Sequence, residues 1–562
     1  MGNFNYTKCL GGLNRIPTDR LLSGLRLIFL ALVLAVVAYV RIRLLDVPLE
    51  RDEGEYAYLG QLILKGLPPY LHVYTMKLPG AGIAYALIMS LFGETVHGIH
   101  LGLLIVNAAN ALLVYLLARC LLGKDAAPIS CAAYATLSLS QSVLGVFAHA
   151  THFVVLFSLS SFIALLRWRE NEKAVFLFIS GVLLGLTVLM KQHAVMLVVF
   201  AGLYLAWDAR KPGITPKRSR LAAYALFLLG ACLPYILVAS WMAALGIFDT
   251  FWFWTVTYAG KYASAQTFFA GWQDFAGSIV IVVVGSQLPL WLLAGIGCIT
   301  LCTSYGRGTH RAFLSGLTLF SFLAVCPGFY FRQHYYIMFL PAVALLAGFA
   351  VASWERIISM ARPVGALRFI PLFLFMAAVG CGFYFEKDYL FNDTPLEVSR
   401  TIYGMSLFPE SLQIARYLQG HTSSTDTIAV IGSEPEIYFY AGRPAATSYI
   451  YMYGLMEKQP FAESMQTDMI GQIEKARPKY IVMVNTPASW LESKDSPDLI
   501  FRWAARYLPA NYNPVGIVDS LSLTKTVLLW DSQVAGYTPK SDQSVIVYKR
   551  KSCADEGTKR GY

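Results

Sequence analysis

Residues 46–80 read DVPLERDEGEYAYLGQLILKGLPPYLHVYTMKLPG and follow the first apolar run of the chain. Gly66 and Pro68 mark the point where a helical pattern inside this segment ends. The pattern has the i, i+3, i+4 rhythm of an amphipathic helix and comprises Asp52, Glu55, Tyr56, Leu59, Leu62 and Ile63. The segment therefore predicts a helix that lies along a membrane surface.

Two carboxylates, Asp52 and Glu53, stand at the start of this predicted helix. The partial positive charge of a helix N-terminus keeps a carboxylate ionised, and backbone N–H groups hold the carboxylate in position. An ionised and oriented carboxylate can act as a general base. The same pattern fits a capping box on an ordinary surface helix, and the segment taken alone favours that structural role.

The whole chain has the composition of a membrane protein. Its 562 residues are 56% hydrophobic and 14% charged, which is more apolar than a water-soluble surface tolerates. Apolar runs of about 17 to 25 residues recur between positions 21 and 385, and each is long enough to cross the hydrocarbon of a bilayer. The net charge of +11 resides largely in short loops between these runs, which argues against a nucleic-acid partner. The predicted fold class is a polytopic α-helical membrane protein.

The basic loops predict the topology, because loops rich in Lys and Arg remain in the cytoplasm. Two spans fit between consecutive basic loops, which gives about eleven transmembrane helices, a cytoplasmic N-terminus and an extracytoplasmic C-terminal domain. Residues 79–92 are apolar but short, so we expect them in the outer interface. The basic residues used are Lys8, Arg15, Arg20, Arg119, Lys124, Arg167, Arg169, Lys173, Arg210, Lys211, Lys217, Arg218, Arg220, Arg307, Arg311, Arg356, Arg362 and Arg368.

This topology gathers many ionisable residues at the extracytoplasmic ends of the spans. Ionisable groups near hydrocarbon are energetically expensive, so a group of them at one face predicts a functional site. Individual members could instead be interface residues whose charged ends reach water. The set comprises Asp52, Glu53, Glu55, Lys77, His97, His100, His149, His152, Lys191, Arg332 and His334.

The chain after the last apolar run has the composition of a soluble protein, so we predict a transmembrane domain at 1–388 and an extracytoplasmic domain at 389–562. Helical and strand-like patterns alternate in this tail, which predicts a small soluble α/β domain with a largely parallel sheet. No phosphate-binding glycine motif occurs in it, so nucleotide binding is unsupported. Residues 248–272 are rich in aromatic side chains and favour a belt at the lipid headgroups, with a cover over the site as the alternative.

These motifs, in their order along the chain, resemble the C-type (GT-C) glycosyltransferase superfamily. The similarity is to bacterial relatives of protein O-mannosyltransferases and of the aminoarabinose transferases that modify lipid A. It covers the membrane portion throughout, although each motif is short. The residues that carry it are Asp52, Glu53 and Tyr56, then Lys77 and Pro79, Phe92 and Gly93, Lys191, and the run RQHYYIMFLPAVALLAG at 332–348.

The resemblance implies an inverting glycosyltransferase that uses a polyprenyl-phosphate sugar at the extracytoplasmic face of a bacterial inner membrane. Asp52 and Glu53 would be the catalytic pair, with Asp52 taking the proton of the acceptor hydroxyl. The leaving phosphate would be bound by Lys77, Lys191 and Arg332. Glu53 and Glu55 would position hydroxyl groups. The remaining substrate-binding residues would be Tyr56, His149, His152 and His334.

Departures from the family pattern leave several points open. Lys77-Leu78-Pro79 replaces the usual Lys-Pro-Pro, and His149 and His152 stand where relatives often carry an aspartate. No cofactor is certain, and a divalent cation bound by Glu53 or by the two histidines stays open beside a purely structural role for the histidines. The acceptor could be a lipid, a polysaccharide or a protein. A transporter or lipid flippase, and a scaffold without catalysis, are the alternative functions.

Overall fold

The computed structural model describes residues 15–208, 217–302, 309–361 and 365–551. Five residues of the predicted basic loops lie outside these ranges: Lys8, Arg210, Lys211, Arg307 and Arg362. The described helices, in chain order, are α1 (Arg15–Arg43), α2 (Arg51–Leu64), α3 (Gly80–Phe92), α4 (Val96–Leu121), α5 (Ala126–Leu137), α6 (Ala150–Asn171), α7 (Ala174–Met190), α8 (Val195–Asp208), α9 (Lys217–Ala244), α10 (Phe248–Trp252), α11 (Ala259–Ala263), α12 (Phe268–Ile279), α13 (Leu288–Leu301), α14 (Thr309–Leu323), α15 (Leu340–Ala361), α16 (Ile370–Phe385), α17 (Pro395–Tyr403), α18 (Phe408–His421), α19 (Glu436–Ala441), α20 (Tyr453–Met456), α21 (Ala462–Ala476), α22 (Pro487–Trp490) and α23 (Leu499–Asn511).

The part of the chain that the structure describes contains six helices long and apolar enough to cross a membrane, or up to seven if a bent helix pair counts as one span. Several further apolar helices, such as α5 and α13, are shorter than the roughly 20 residues that a bilayer requires. The described part of the chain is therefore mostly helical and contains several candidate membrane spans. The count of eleven spans stays a prediction, because these shorter helices decide it.

The described residues form two compact units, each assembled from three segments of the chain. The helical unit comprises Met1–Leu44, His100–Trp241 and Gln266–Asn392. The sheet unit comprises Leu45–Ile99, Met242–Ala265 and Asp393–Tyr562. The domain boundary at residue 388 stays a prediction, and the observed sheet unit includes the first loop as well as the tail.

Helices of the helical unit approach one another closely where small residues face a neighbour. Gly181 and Gly185 of α7 lie against the backbone of α9, and Gly348 of α15 lies against Ser130 of α5. Without side chains at these positions, the helix backbones can pack in direct contact. Buried Arg41, at the end of α1, donates hydrogen bonds of 2.9 Å each to the carbonyls of Ser138 and Gly145. These contacts fix the turn that leads into α6.

The sheet unit is built around one mixed sheet of five strands in the order β1–β2–β5–β3–β4. Only β1 and β2 pair in parallel, and the other neighbours are antiparallel. The prediction of a largely parallel sheet is therefore wrong, because β5 inserts between β2 and β3 in the opposite direction. The strands are β1 (Ile428–Ile431), β2 (Tyr480–Asn485), β3 (Tyr512–Ser522), β4 (Lys525–Trp530) and β5 (Ser544–Arg550).

Helix α2 packs between α3 and the short helix α19 within the sheet unit. A Cβ atom at Gly54 would lie 2.6 Å from the backbone nitrogen of Glu436, so only glycine permits this approach to α19. On the side of α3, a Cβ atom at Gly60 would lie 2.9 Å from the backbone nitrogen of Ala86. The sequence of α2 therefore places its two glycines where neighbouring backbones come closest.

Candidate active site

The predicted first-loop helix is present as α2, and its N-terminus is closed by a capping box. The Glu50 carboxylate accepts a 3.0 Å hydrogen bond from the backbone N–H of Glu53. The Glu53 carboxylate in turn accepts a 3.2 Å hydrogen bond from the backbone N–H of Glu50. The predicted start of the helix is confirmed, and these reciprocal bonds satisfy backbone donors that the helix leaves open.

Glu53 is fully buried, and its carboxylate takes part in this cap. We predicted that Glu53 is catalytic and positions hydroxyl groups. The observed contacts give the Glu53 carboxylate a structural task. It fixes the first turn of α2 and thereby the position of Asp52, the residue before it.

Lys77 joins Asp52 and Glu55 into one cluster, which we call the lysine–carboxylate cluster. The Lys77 Nζ atom donates to Asp52 Oδ1 over 2.7 Å and to Glu55 Oε2 over 2.6 Å. Asp52 keeps 19% of its side chain exposed, whereas Glu55 keeps 4%. One cation thus bridges a partly accessible carboxylate and a buried one.

Two aromatic rings complete the surroundings of the Lys77 ammonium. Its Nζ atom lies 4.5 Å from the centre of the Tyr56 ring and 5.4 Å from that of Tyr451. Burial lowers the pKa of Lys77, but the charges of Asp52 and Glu55 outweigh it, so the pKa lies well above its ordinary value. Lys77 therefore remains a cation over the whole working range of pH.

The loop between α2 and α3 delivers Lys77 to this position. It leaves α2 through Gly66, whose φ of 75° lies in the left-handed region that glycine tolerates. The Tyr70 hydroxyl then donates a 2.8 Å hydrogen bond to the carbonyl of Lys77. The tail of the chain supports the same loop, because the N–H of Tyr74 donates to the carbonyl of Ser448 over 2.8 Å.

Sequence reasoning missed Arg51, which stands directly before Asp52 and binds the tail of the chain. Its guanidinium donates to the Ser433 carbonyl over 2.5 Å, to the Tyr453 hydroxyl over 2.7 Å and to Glu434 over 3.0 Å. The only signal in the sequence is the run of charges Arg51-Asp52-Glu53, since an arginine that becomes buried needs partners. Nothing in the sequence, however, identified those partners hundreds of residues away.

A second group of predicted residues lies in the helical unit, around the ring of Tyr335. Lys191 Nζ lies 4.2 Å from the centre of this ring. His334 meets the ring edge-on at 4.8 Å between centres. His193, which was not predicted, does so at 4.9 Å. His149 stacks on His334, with ring centres 4.2 Å apart and an interplanar angle of 12°. We call this group the tyrosine–histidine cluster.

The structure gives the remaining predicted residues more separate positions. Arg332 is exposed, and its guanidinium lies 5.7 Å from the centre of the Tyr330 ring. His152 is fully buried in the first turn of α6, where its carbonyl accepts a 3.0 Å hydrogen bond from Asn110. The predicted site residues thus divide between the two units. Asp52, Glu53, Glu55, Tyr56 and Lys77 belong to the sheet unit, and His149, His152, Lys191, Arg332 and His334 to the helical unit.

The aromatic segment after α9 is only partly exposed. Phe251, Trp254 and Tyr258 are buried within the sheet unit. Trp254 stacks on Tyr74 with ring centres 5.2 Å apart, and Tyr258 donates a 2.7 Å hydrogen bond to Glu457. For these three residues the prediction of a belt facing lipid is wrong, because they pack against the first loop and the tail.

Comparison with known families and structures gives the following matches. Residues 77–241 match the family of dolichyl-phosphate-mannose-protein mannosyltransferases. No curated protein matches the chain. Among solved structures, ArnT from Cupriavidus metallidurans bound to undecaprenyl phosphate has a TM-score of 0.56 at 15% identity, covering 92% of this chain and 100% of that chain.

Two further structures come from the oligosaccharyltransferase of Archaeoglobus fulgidus. AglB in complex with an inhibitory peptide and a dolichol-phosphate has a TM-score of 0.48 at 14% identity, covering 94% of this chain and 76% of that chain. The enzyme tethered to an acceptor peptide has a TM-score of 0.46 at 13% identity, covering 90% of this chain and 74% of that chain.

Proposed function

We propose that this chain, whose resemblance to the GT-C superfamily of membrane glycosyltransferases is confirmed by the family and structural matches, is an inverting glycosyltransferase. It moves a sugar from a polyprenyl-phosphate donor to an acceptor hydroxyl. The matching family is named after dolichyl-phosphate-mannose, and the ArnT structure is bound to undecaprenyl phosphate. Both lipids are polyprenyl phosphates, which supports this class of donor. A lipid, a polysaccharide or a protein could be the acceptor.

The observation that carries this proposal is the lysine–carboxylate cluster at the start of α2. Lys77 and the N-terminus of α2 both favour the ionised form of Asp52, which keeps 19% of its side chain exposed. In the proposed step Asp52 takes the proton of the acceptor hydroxyl, whose oxygen forms a bond to the anomeric carbon. The bond from that carbon to the phosphate oxygen breaks, and its electron pair leaves with the polyprenyl phosphate.

Cations are required because negative charge grows on the departing phosphate. We assign this task to Lys77, which already bonds to Asp52 within the sheet unit. The resemblance implies the same task for Lys191 and Arg332 of the helical unit, where Arg332 is exposed and Lys191 lies on the face of Tyr335. A guanidinium can bind two phosphate oxygens at once, and an ammonium acts as a point charge. Glu55 holds Lys77, and Glu53 holds the first turn of α2.

Cell location and metal dependence belong to the same proposal. We place the protein in a bacterial inner membrane, with a cytoplasmic N-terminus and the tail on the extracytoplasmic side. Measuring transfer with and without a chelator tests the role of a divalent cation. Retained activity after chelation would assign the positive charge to the basic side chains alone.

The decisive experiment measures sugar transfer by the purified full-length protein in lipid nanodiscs, using a panel of radiolabelled polyprenyl-phosphate sugars. Asp52→Asn should lower the rate by about 10² to 10⁴, the usual contribution of a positioned acid–base group. Asp46→Asn is the matched control, because Asp46 lies in the same loop and 71% of its side chain is exposed. This control should retain the wild-type rate.

Other outcomes would contradict the proposal. Transfer that continues unchanged in Asp52→Asn would remove Asp52 from the reaction. If the wild type transfers no labelled sugar in nanodiscs but moves the intact donor between the leaflets of sealed liposomes, the protein is a flippase. If it does neither with any donor of the panel, a scaffold role replaces the enzymatic one.

A further inference from the structure

We infer that Tyr451, in the tail of the chain, is a positioning residue for Asp52 and Lys77, so that the tail forms part of the reaction centre. This inference rests on the proposed function and deepens it. Within the sheet unit, the Tyr451 hydroxyl lies 3.4 Å from Asp52 Oδ1. The Tyr451 ring centre lies 5.4 Å from Lys77 Nζ. One side chain of the tail therefore reaches both partners of the central ion pair.

Both polar contacts converge on the same carboxylate oxygen. Lys77 Nζ and the Tyr451 hydroxyl each donate to Asp52 Oδ1, over 2.7 and 3.4 Å respectively. The phenol contact is longer than usual, so Lys77 is the stronger partner in this state. Should Lys77 turn toward a bound phosphate, Tyr451 would still hold the orientation of Asp52.

Tyr451 can perform this task because its own position is fixed. Its ring meets the Tyr453 ring edge-on at 4.7 Å between centres. The Tyr453 hydroxyl accepts a 2.7 Å hydrogen bond from Arg51 and donates one of 2.8 Å to the Ala488 carbonyl. Between the two tyrosines, the N–H of Met452 donates to the Ser433 hydroxyl over 2.8 Å. The backbone and the ring are therefore anchored on both sides.

The phenol also stays protonated. Burial, and next the charge of Asp52, raises the pKa of Tyr451 well above its ordinary value. Tyr451 is consequently a neutral donor throughout the working pH range, and it cannot compete with Asp52 for the acceptor proton. Its contribution is orientation of the carboxylate by its hydroxyl and stabilisation of the ammonium by its ring.

The first arm of the test separates the hydroxyl from the ring in the transfer reaction. Tyr451→Phe removes only the contact to Asp52 and should lower kcat about 3- to 10-fold, the range for one hydrogen bond, with the donor KM within about twofold. Tyr451→Leu also removes the ring and should lower kcat further. Tyr449→Phe is the control, because Tyr449 lies in the same segment and donates to Asp468. It should retain the wild-type kcat.

The second arm does not depend on transfer activity. Only the neutral amine of Lys77 reacts with an acylating reagent, and mass spectrometry of the full-length protein measures the extent. Tyr451→Leu should raise the acylation rate of Lys77 about 3- to 10-fold, because the ring no longer stabilises the ammonium. Tyr451→Phe should leave that rate at the wild-type value.

The two arms have distinct failures. Suppose that Tyr451→Phe and Tyr451→Leu both fold, keep the wild-type kcat and leave the acylation rate of Lys77 unchanged. Tyr451 then has no positioning role. If the wild type shows no transfer but Lys77 acylation rises in Tyr451→Leu, the proposed function fails and the contact to Lys77 stands. If Tyr449→Phe loses as much kcat as Tyr451→Phe, the effect is general to the segment and the inference is overturned.

Discussion

At the scale of single residues, the charge balance around Lys77 governs the site. One ammonium serves two carboxylates, so the lysine–carboxylate cluster carries a net negative charge while Lys77 remains a cation. Removal of Lys77 would leave Asp52 and Glu55 as neighbouring anions, one of them almost fully buried. Such an arrangement is unfavourable, because buried like charges repel and lack solvation.

We predict that Lys77→Met lowers the free energy of unfolding by about 2 kcal/mol, since it breaks a partly buried ion pair. The double variant with Glu55→Gln should recover most of this loss, because the second uncompensated carboxylate is then neutral. Thermal unfolding in detergent measures both, and transfer should remain impaired in each. If the free energy lost in the double variant equals the sum of the losses in the two single variants, Lys77 and Glu55 are not coupled.

A second residue-scale effect arises at Glu436, which is fully buried beside α2. Burial, and next the charge of Glu434, raises the pKa of Glu436 from 4.5 to about 8. An acid with a raised pKa binds its proton more tightly in the folded state. The stability that this provides is complete below pH 4.5 and is lost as the pH rises through about 8.

We therefore expect Glu436→Gln to flatten the dependence of Tm on pH between 5 and 8, because glutamine does not titrate. The Tm of the variant should fall below the wild-type Tm by less at pH 8 than at pH 5. Glu463→Gln, at an exposed position of α21, should leave the wild-type slope unchanged. A slope that persists in Glu436→Gln would assign the pH dependence to other groups.

At the scale of secondary-structure elements, α2 is the part on which the sheet unit depends. Its N-terminal turn is closed by Glu50 and Glu53, and Arg51 ties that turn to the tail. Close packing on α19 at Gly54 leaves no room for the helix to shift. The orientation of Asp52 is thus set by backbone packing as well as by Lys77.

Gly54→Ala tests this packing directly. The added Cβ atom would collide with the backbone of Glu436, which cannot rotate away, so we predict a loss of about 1–3 kcal/mol in stability. Gly471→Ala is the matched control, because nothing lies within 4 Å of that position in α21. The control should be stabilised by roughly 0.5–1 kcal/mol through helix propensity. Similar Tm shifts for both variants would contradict the packing argument.

The sequence pattern predicted well those elements that form from residues close together in the chain. The rhythm of residues 52–63 and the stop at Gly66 match α2, whose helix ends at Leu64. Lys77 reaches Asp52 across only 25 positions. The resemblance assigned both residues to one site, but their hydrogen bond was not predicted.

Long-range partners could not be predicted in the same way. Tyr451 lies 399 positions from Asp52, and Glu434 lies 383 positions from Arg51. The insertion of β5 between β2 and β3 likewise leaves no periodic signal in any one strand. Such pairings are chosen by three-dimensional packing, so propensity and spacing carry no information on them.

At the scale of the whole molecule, both units are interleaved along the chain. The sheet unit takes its parts from the first loop, from the segment after α9 and from the tail. A deletion of the tail would therefore remove the partners of Arg51 and of Tyr74 as well as the sheet. We expect the first loop to lose its order in such a deletion, so a truncated chain is no substitute for the full protein.

The proposed orientation of the molecule can be tested in intact cells. In a background without native cysteines, Ser424→Cys should react with a membrane-impermeant maleimide, because Ser424 is exposed in the tail. Lys173→Cys, exposed between α6 and α7, should react only after the membrane is permeabilised. Labelling of Lys173→Cys in intact cells, with Ser424→Cys protected, would reverse the proposed topology.

The interleaved sheet unit also has a consequence for biosynthesis. A ribosome releases residues 45–99 long before it has made residues 393–551. The tail partners of Arg51 and Gly54 are therefore not yet made while most of the apolar helices are inserted. The nascent first loop must be kept from aggregating during this interval. A half-made chain consequently lacks the tail residues that bind Arg51 and pack against Gly54, so translation must finish before the first turn of α2 is held in place.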